Sequence, residues 1–388
     1  MKILKSLPVR LVIALLLGIG VGLIANESVM QVVVTLQKLS GTVIMFVIPL
    51  IIIGFIAPSI TKLGINASSM LGIALALAYL SSIGAAFFSA GAGYGIIPHL
   101  NIASNADATR ELPKVIFELS IPQIMPVMSA LVFAVLLGLA TVWSRSQRII
   151  SALDEFQEIV ISIVVKVIIP ILPFFIAFTF CSLAYEGGII RQLPVFLIVI
   201  FIVIVGHFIW LALLYAIAGL YSGKNPFRVL KHYLPAYLTA VGTMSSAATL
   251  PVALDCARRS DILRRDMVSF GIPLFANIHL CGSVLTETFF VLTVSQTLYG
   301  TLPPIGTTVL FCLLLGIFAI GAPGIPGGTV MASLGLIVSV LGFDEAGTAL
   351  MLTIFALQDS FGTACNVTGD GALTLIISRF SDKRDKTS

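Results

Sequence analysis

Long apolar stretches alternate with short polar interruptions along the whole chain. Runs of about 20 apolar residues recur, each long enough to cross a ~30 Å hydrocarbon core as a helix. Apolar runs and their breakers predict helices over residues 7–25, 36–62, 69–97, 115–144, 152–184 and 190–221. Further segments follow at 226–257, 263–297, 303–342 and 346–379. Several exceed ~25 residues, so tilt, interfacial ends, or kinks at Pro170 and Pro173 are expected. The start resembles a signal peptide, with Lys2, Lys5 and Arg10 near an apolar stretch. That stretch, residues 11–24, outruns most signal cores once 7–9 are added, and no soluble domain follows it. A first membrane helix that stays is the expectation.

Charge changes this picture. Basic residues cluster in the loops after 144 (Arg145, Arg148), after 221 (Lys224, Arg228, Lys231) and after 257 (Arg258, Arg259, Arg264, Arg265). They also mark both ends of the chain: Lys2, Lys5 and Arg10, then Arg379, Lys383, Arg384 and Lys386. By the positive-inside rule all of these face the cytoplasm. Residues 25–29, 185–191, 298–307 and 342–347 carry almost no Lys or Arg and face outward. Segment 226–257 then has basic loops on both sides, and segment 303–342 has neither side basic. Each must enter and leave on one face. Both are interrupted midway, by Gly242-Thr-Met-Ser-Ser-Ala-Ala-Thr-Leu-Pro251 and by Gly321-Ala-Pro-Gly-Ile-Pro-Gly-Gly-Thr329. Irregular backbone at membrane depth is tolerated only inside protein or against a cavity. Two such interruptions in corresponding halves predict paired re-entrant hairpins around a transport site.

Composition agrees. Of 388 residues, 58% are hydrophobic and only 10% charged, against ~25% charged in soluble domains. The mean hydropathy is +1.09. The net charge of +4 reports topology rather than nucleic-acid binding, because the basic residues sit between apolar segments. Five cysteines (Cys181, Cys256, Cys281, Cys312, Cys365) show no metal or disulfide spacing. No cofactor is expected. The triplets Asn66-Ala-Ser and Asn366-Val-Thr fit the glycosylation pattern, but one falls on the cytoplasmic side and the other in the membrane.

Polar chemistry is concentrated late in the chain. The last helix is apolar except for the stripe Asp359, Thr363, Asn366 and Asp370, whose steps of 4, 3 and 4 form one helical face. Buried acids are costly in a membrane. They form either a structural polar face or a ladder of oxygens for a substrate ammonium or a bare cation. In Asn277-Ile-His-Leu-Cys-Gly-Ser283, Gly282 with Ser283 predicts a break that frees backbone groups. His279 is either a hydrogen-bonded core histidine or a proton carrier. Ser245 and Ser246 offer hydroxyls and free amides at a half-helix start, which favours a carboxylate. Ser81 and Ser82 are weak signals, since membrane serines often bond back to their own helix. An intramembrane enzyme is excluded as a good reading. Asp359 and Asp370 lie 11 residues apart, about 16 Å along a helix, too far for a catalytic pair.

Together, Ser245-Ser-Ala-Ala-Thr-Leu-Pro251, Gly324-Ile-Pro-Gly327 and Asn366-Val-Thr-Gly-Asp370 resemble the dicarboxylate/amino acid:cation symporters, in the right order along essentially the whole chain. That resemblance implies an all-α integral membrane fold: eight transmembrane helices, two re-entrant hairpins and inverted repeats, assembled as a homotrimer in the cell inner membrane with cytoplasmic termini. It implies a scaffold (1–68, 115–151, 152–189) and an elevator transport domain (69–114, 190–225 and the core 226–388). Within that core lie hairpin 1 (226–257), helix 7 (263–297), hairpin 2 (303–342) and helix 8 (346–379). By the same resemblance Ser245, Ser246 and Asn366 meet the substrate's main carboxylate, Asp359 its amino group, and Thr363 and Ser283 add polar contacts. Gly324 and Ile325 form a gate. Asn366 and Asp370 match ligands of one sodium ion, and Ser81 and Ser82 belong to another. A third site uses backbone near Phe275, Asn277, Ala319, Ile320 and Ala322.

The departures from that pattern set the remaining expectations. Members that take acidic substrates carry an arginine three residues after the amino-binding acid, where this chain has Gly362. A side-chain carboxylate would lose its bidentate partner. A small neutral or bulkier amino acid, fitting the space at the glycine, is expected instead. Met244 also replaces an arginine found in many prokaryotic members. The family's Asn-Met-Asp-Gly-Thr reads His279-Leu-Cys-Gly-Ser283 here. A thiol suits a hard sodium ion poorly, so coupling to protons through His279, to fewer sodium ions, or to both is expected. An uncoupled facilitator or anion channel on the same scaffold is the alternative, as is an acidic amino-acid or dicarboxylate symporter.

Overall fold

The computed structural model describes residues 7–65, 69–100, 110–187 and 189–384. Lys2, Lys5, Lys386 and the Asn66-Ala-Ser triplet lie outside them. Among the described residues all regular structure is helical. The order is α1 (Leu7–Ile24), α2 (Glu27–Ile65), α3 (Ser69–Ile96), α4 (Val127–Ser144), α5 (Gln147–Ile163), α6 (Ile169–Tyr185) and α7 (Ile189–Ser222). Then come α8 (Phe227–Leu230), α9 (Leu234–Thr243), α10 (Ser246–Arg258), α11 (Arg265–Ile278), α12 (Cys281–Tyr299), α13 (Ile305–Gly321), α14 (Gly328–Ser339) and α15 (Glu345–Arg384). A π-helical turn, Val164–Ile168, joins α5 to α6 just before Pro170, where the kink was expected. Among the described residues six helical stretches are long and apolar enough to cross a membrane. Their outer faces leave Leu16, Phe174 and Phe201 exposed, as a lipid-facing surface requires.

The expected helix over 115–144 begins only at Val127. Residues 110–126 are irregular, because Pro113, Pro122 and Pro126 each remove a donor and bias the preceding residue away from helix. Apolar content alone had extended the segment too far.

Two packing sets emerge. In the first, α1 lies on α6 and α2 meets α4, α5 and α6. Gly18 and Gly22 make the α1–α6 approach possible: a Cβ would stand 2.2 Å from the Ala177 carbonyl oxygen and 2.3 Å from that of Cys181. In the second set α12 and α15 are central, wrapped by α3, α7, α9, α10 and α11. The whole of α12 is buried apart from its last residues, polar ones included. The two sets touch mainly where α13 and α14 meet α2 and α4, and where α15 meets α1 and α6.

Each interrupted segment forms a helix pair folded back on itself. The first, α9 and α10, turns at Met244, a buried non-glycine residue at φ 54. Ser245 then caps α10, its hydroxyl accepting from the Ala248 amide at 3.1 Å. The second, α13 and α14, turns through residues 322–327 and ends at Gly327, φ 70, where a side chain would be strained.

The break in the segment 263–297 falls at His279, which is extended, and at Leu280, which leaves the helical region, and not at the expected Gly282-Ser283. Gly282 serves packing instead. A Cβ there would lie 2.4 Å from the Gly362 carbonyl oxygen and 2.5 Å from Cys365 Cβ. Gly282→Ala should therefore cost about 2 kcal/mol through overpacking. Gly242→Ala, with nothing within 4 Å, should gain a few tenths through helix propensity. Thermal unfolding in detergent of the two variants should shift in opposite directions.

Candidate functional site

The two helix-pair tips meet each other. Ser245 Oγ donates to the Gly324 carbonyl at 2.6 Å, and the Ala247 amide reaches the same oxygen at 3.3 Å. Glycine is needed at 324 because a Cβ would crowd the Ala247 nitrogen and the Ala276 carbonyl, both at 3.2 Å. Ser246 is buried beside this latch, while Ile325 is half-buried on its flank.

Beneath the tips lies the face of α15. Asp359 is buried, and its Oδ2 accepts from the Gly327 amide at 2.7 Å. Thr363 Oγ1 lies 3.5 Å from Oδ1. One turn on, Asn366 is fully engaged. Its Oδ1 accepts from the amides of Gly282 at 2.7 Å and Ser283 at 3.2 Å, and its Nδ2 donates to Ser283 Oγ at 2.9 Å. Asn366 thus caps the start of α12. Gly362 opens less space than expected: a Cβ there would sit 3.3 Å from Ser283 N and Cα. The glycine lets α15 approach α12, and the first turn of α12 takes up that room.

A second polar group centres on His279. Its Nδ1 pairs with Asp370 Oδ1 at 2.9 Å and its Nε2 with Ser81 Oγ at 2.9 Å. The imidazole therefore bridges α3 and α15 through the break before α12. All three side chains are buried. Asp370 Oδ2 and Ser82 Oγ have no hydrogen-bond partner. These are two buried oxygens of the kind a hard cation or a proton would satisfy. Cys281 lies against the same region, its Sγ 3.4 Å from where a Gly369 Cβ would stand. Among the described residues no cluster of three His, Cys, Asp or Glu could hold a tightly bound metal.

Of the third expected sodium site, Asn277, Ile320 and Ala322 line one cavity at the tip of α13–α14. The Phe275 carbonyl is taken by the His279 amide at 2.8 Å, and that of Ala319 by the Ala322 amide at 3.4 Å. Asn277 is exposed and donates to the Pro273 carbonyl at 2.8 Å. Ile320 is half-buried and lines the cavity beside the same tip.

The buried polar residues that escape the sequence reading include Glu287 and His207. Glu287, on α12, accepts a short hydrogen bond from Ser333 Oγ of α14, and its Oε2 has no partner. His207, on α7, lies within 3.0 Å of the Gly282 carbonyl and 2.9 Å of Thr286 Oγ1. His207 stands alone in an apolar run and Glu287 lies between Thr286 and Thr288; an ionisable residue at membrane depth was the available signal.

Known proteins carry related sequence over part of this chain. Excitatory amino acid transporter 2 of Mus musculus is 30% identical over 224 residues, 56% of this chain and 38% of that protein. Excitatory amino acid transporter 3 of Mus musculus is 32% identical over 160 residues, 41% of this chain and 30% of that protein. Its counterpart from Oryctolagus cuniculus is 27% identical over 263 residues, 66% of this chain and 49% of that protein. The chain thus spans between 30% and 49% of the length of these relatives. A model of the sodium:dicarboxylate symporter family matches residues 7–380. That match takes in both latched tips, the broken α11–α12 segment and the polar face of α15, and the chain belongs to the sodium:dicarboxylate symporter family.

Proposed function

We propose that the chain is a secondary active transporter that imports a small neutral amino acid, coupled to Na+, H+ or both. The observation that carries this is the enclosure of Asp359 beneath the two latched tips, with Gly362 and no arginine on the following turn. The substrate ammonium would pair with Asp359. Its carboxylate would take the amide-rich start of α10 at Ser245 and Ser246, where the helix dipole favours an anion. Ser283, Thr363 and Asn366 would complete the polar wall, and Gly324 with Ile325 would open and close over it. For Asn366 this requires one of its present bonds to α12 to be released.

Around this site we assign eight membrane crossings and two re-entrant hairpins, α9–α10 and α13–α14, with cytoplasmic termini in the inner membrane. The two packing sets support a scaffold over 1–68 and 115–189 and a moving body over 69–114 and 190–388, working as an elevator within a homotrimer. Family membership supports sodium as a coupling ion. Asp370, Asn366 and Ser82 offer oxygens for it, with backbone near Phe275, Asn277, Ala319, Ile320 and Ala322. His279, tied to Asp370 and Ser81, is the candidate proton carrier.

An acidic substrate is the second reading, favoured by the names of the relatives. A thermal-shift screen of amino acids, with and without sodium, separates the two. A ligand that binds only the folded state at a hundred times its Kd adds about 2.7 kcal/mol, a rise of several degrees. Neutral amino acids should give the larger rise. Greatest stabilisation by glutamate or aspartate would overturn the neutral assignment. Counterflow of labelled substrate in proteoliposomes tests coupled carriage against a channel.

A further inference from the structure

One stripe of α7 is buried: Val199, Val203, His207, Leu211 and Leu214, at steps of 4, 4, 4 and 3, while Phe201, Val205 and Phe208 stay exposed. His207 is the polar member of that stripe. Its Nε2 lies 3.0 Å from the Gly282 carbonyl oxygen and 2.9 Å from Thr286 Oγ1. A carbonyl only accepts, so Nε2 carries the hydrogen and donates. The other ring nitrogen, Nδ1, is buried without a partner. A ring placed there only to fill the core would leave half its polar capacity unpaired, a cost that leucine avoids. The bond at Nε2 therefore has another use. The threonines of α12 point to it. Thr288, Thr293 and Thr297 each donate to the carbonyl four residues back. Thr286 meets His207 instead, and the carbonyl four residues before it, that of Gly282, is the one His207 takes.

The same turn is held from its other end by Asn366, which accepts from the Gly282 and Ser283 amides and donates to Ser283 Oγ. Those amides need a side chain because the break at His279 and Leu280 interrupts the helix before them. Two helices thus grip one turn, α15 by its amides and α7 by its carbonyl. The grips use opposite ends of the peptide units, so one can let go while the other holds. We propose that His207 is a positioning residue for substrate binding: it keeps the first turn of α12 in place while Asn366 exchanges its bonds to that turn for the substrate's carboxylate. This rests on the reading of Asn366 and Ser283 as substrate contacts given above. A turn held by Asn366 alone would fray as Asn366 left it, and that loss of order would oppose every binding event.

The test compares His207→Leu, which keeps the bulk and loses the donor, with His207→Gln, whose amide nitrogen reaches the place of Nε2. Uptake is measured in proteoliposomes with the amino acid that gives the wild type its largest thermal shift. His207→Leu should raise KM on the order of tenfold, the loss of one hydrogen bond's worth of binding. The maximal rate should stay within about twofold, as when binding alone is weakened. His207→Gln should recover most of the wild-type KM. A residue that merely held the fold would lower the amount of active protein, and so the maximal rate, with KM unchanged. An unchanged KM in His207→Leu, or equal rises in both variants, would overturn the proposal. Should His207→Leu fail to fold, His207→Asn, polar but too short to reach Gly282, takes its place with the same expectations. A second arm needs no substrate. The thermal midpoints of His207→Leu, Asn366→Ala and the double variant should depart from additivity, because both side chains act on one turn. Additive losses would overturn the shared grip. A wild-type protein that binds no amino acid would sink the transporter reading and the substrate role of His207 with it, while the additivity of the midpoints would still decide the grip.

Discussion

Asp359→Asn is expected to weaken amino-acid binding by two to three orders of magnitude while leaving the protein folded. Asp359 holds the second tip through the Gly327 amide at 2.7 Å, and an asparagine oxygen can still accept that bond. What it cannot do is neutralise an ammonium. A hydrogen bond to a charged group contributes about 1.5–3 kcal/mol, and a buried ammonium left without its partner costs more again. Each 1.4 kcal/mol is about tenfold in Kd. The thermal midpoint without ligand should stay within a few degrees of wild type, and the rise produced by substrate should vanish. If Asp359 served only to fasten the tip, Asp359→Asn would bind substrate normally, because the fastening survives. Asp359→Ala supplies the contrast: it should lose both the substrate response and part of the ligand-free stability.

Much of the architecture around Asp359 is legible in the sequence. The positions of basic residues made the segment at 226–257 return to its starting side, and the breakers located both turns within a few residues. Turn chemistry and charge are local, so sequence carries them well. The stripe from Asp359 to Asp370 was legible for the same reason, being periodic on one helix. What remained hidden depends on partners distant in the chain. Gly282 and Gly362 look like a helix break and an open pocket; both are contact points between α12 and α15. Asn366 looks like a free ligand, yet its amide is spent on the amides and hydroxyl at the start of α12. Glu287 has no neighbour on its own helix to announce it, because its partner Ser333 stands 46 residues away. The late start of α4 was readable from three prolines, and hydropathy overrode them.

The second large effect concerns the coupling ion. His279 reaches Ser81 on one side and Asp370 on the other, both at 2.9 Å. Those are residues that the family resemblance gives to two different sodium sites. The ring lies across the space between them, and a cation there would compete with it. An imidazole exchanges a proton near neutral pH in water, and a neighbouring carboxylate gives the protonated form a partner. Wild-type uptake into proteoliposomes should therefore follow an imposed pH gradient. Sodium should stimulate it less than the family name implies. Restoring the signature with His279→Asn and Cys281→Asp together exchanges a ring and a thiol for an amide and a carboxylate, hard oxygen donors suited to sodium. Ser82 Oγ and Asp370 Oδ2, both without partners in the present structure, would then have a cation to ligate. Sodium stimulation should rise on the order of tenfold, the ratio that about 1.4 kcal/mol of added ion affinity supplies, and the pH gradient should cease to drive uptake. His279→Asn alone should lose the proton response without gaining the sodium one, because Cys281 still withholds its carboxylate. Wild-type uptake that requires a sodium gradient and ignores a proton gradient would end the case for His279 as a proton carrier. It would leave the imidazole as a structural tie between α3 and α15.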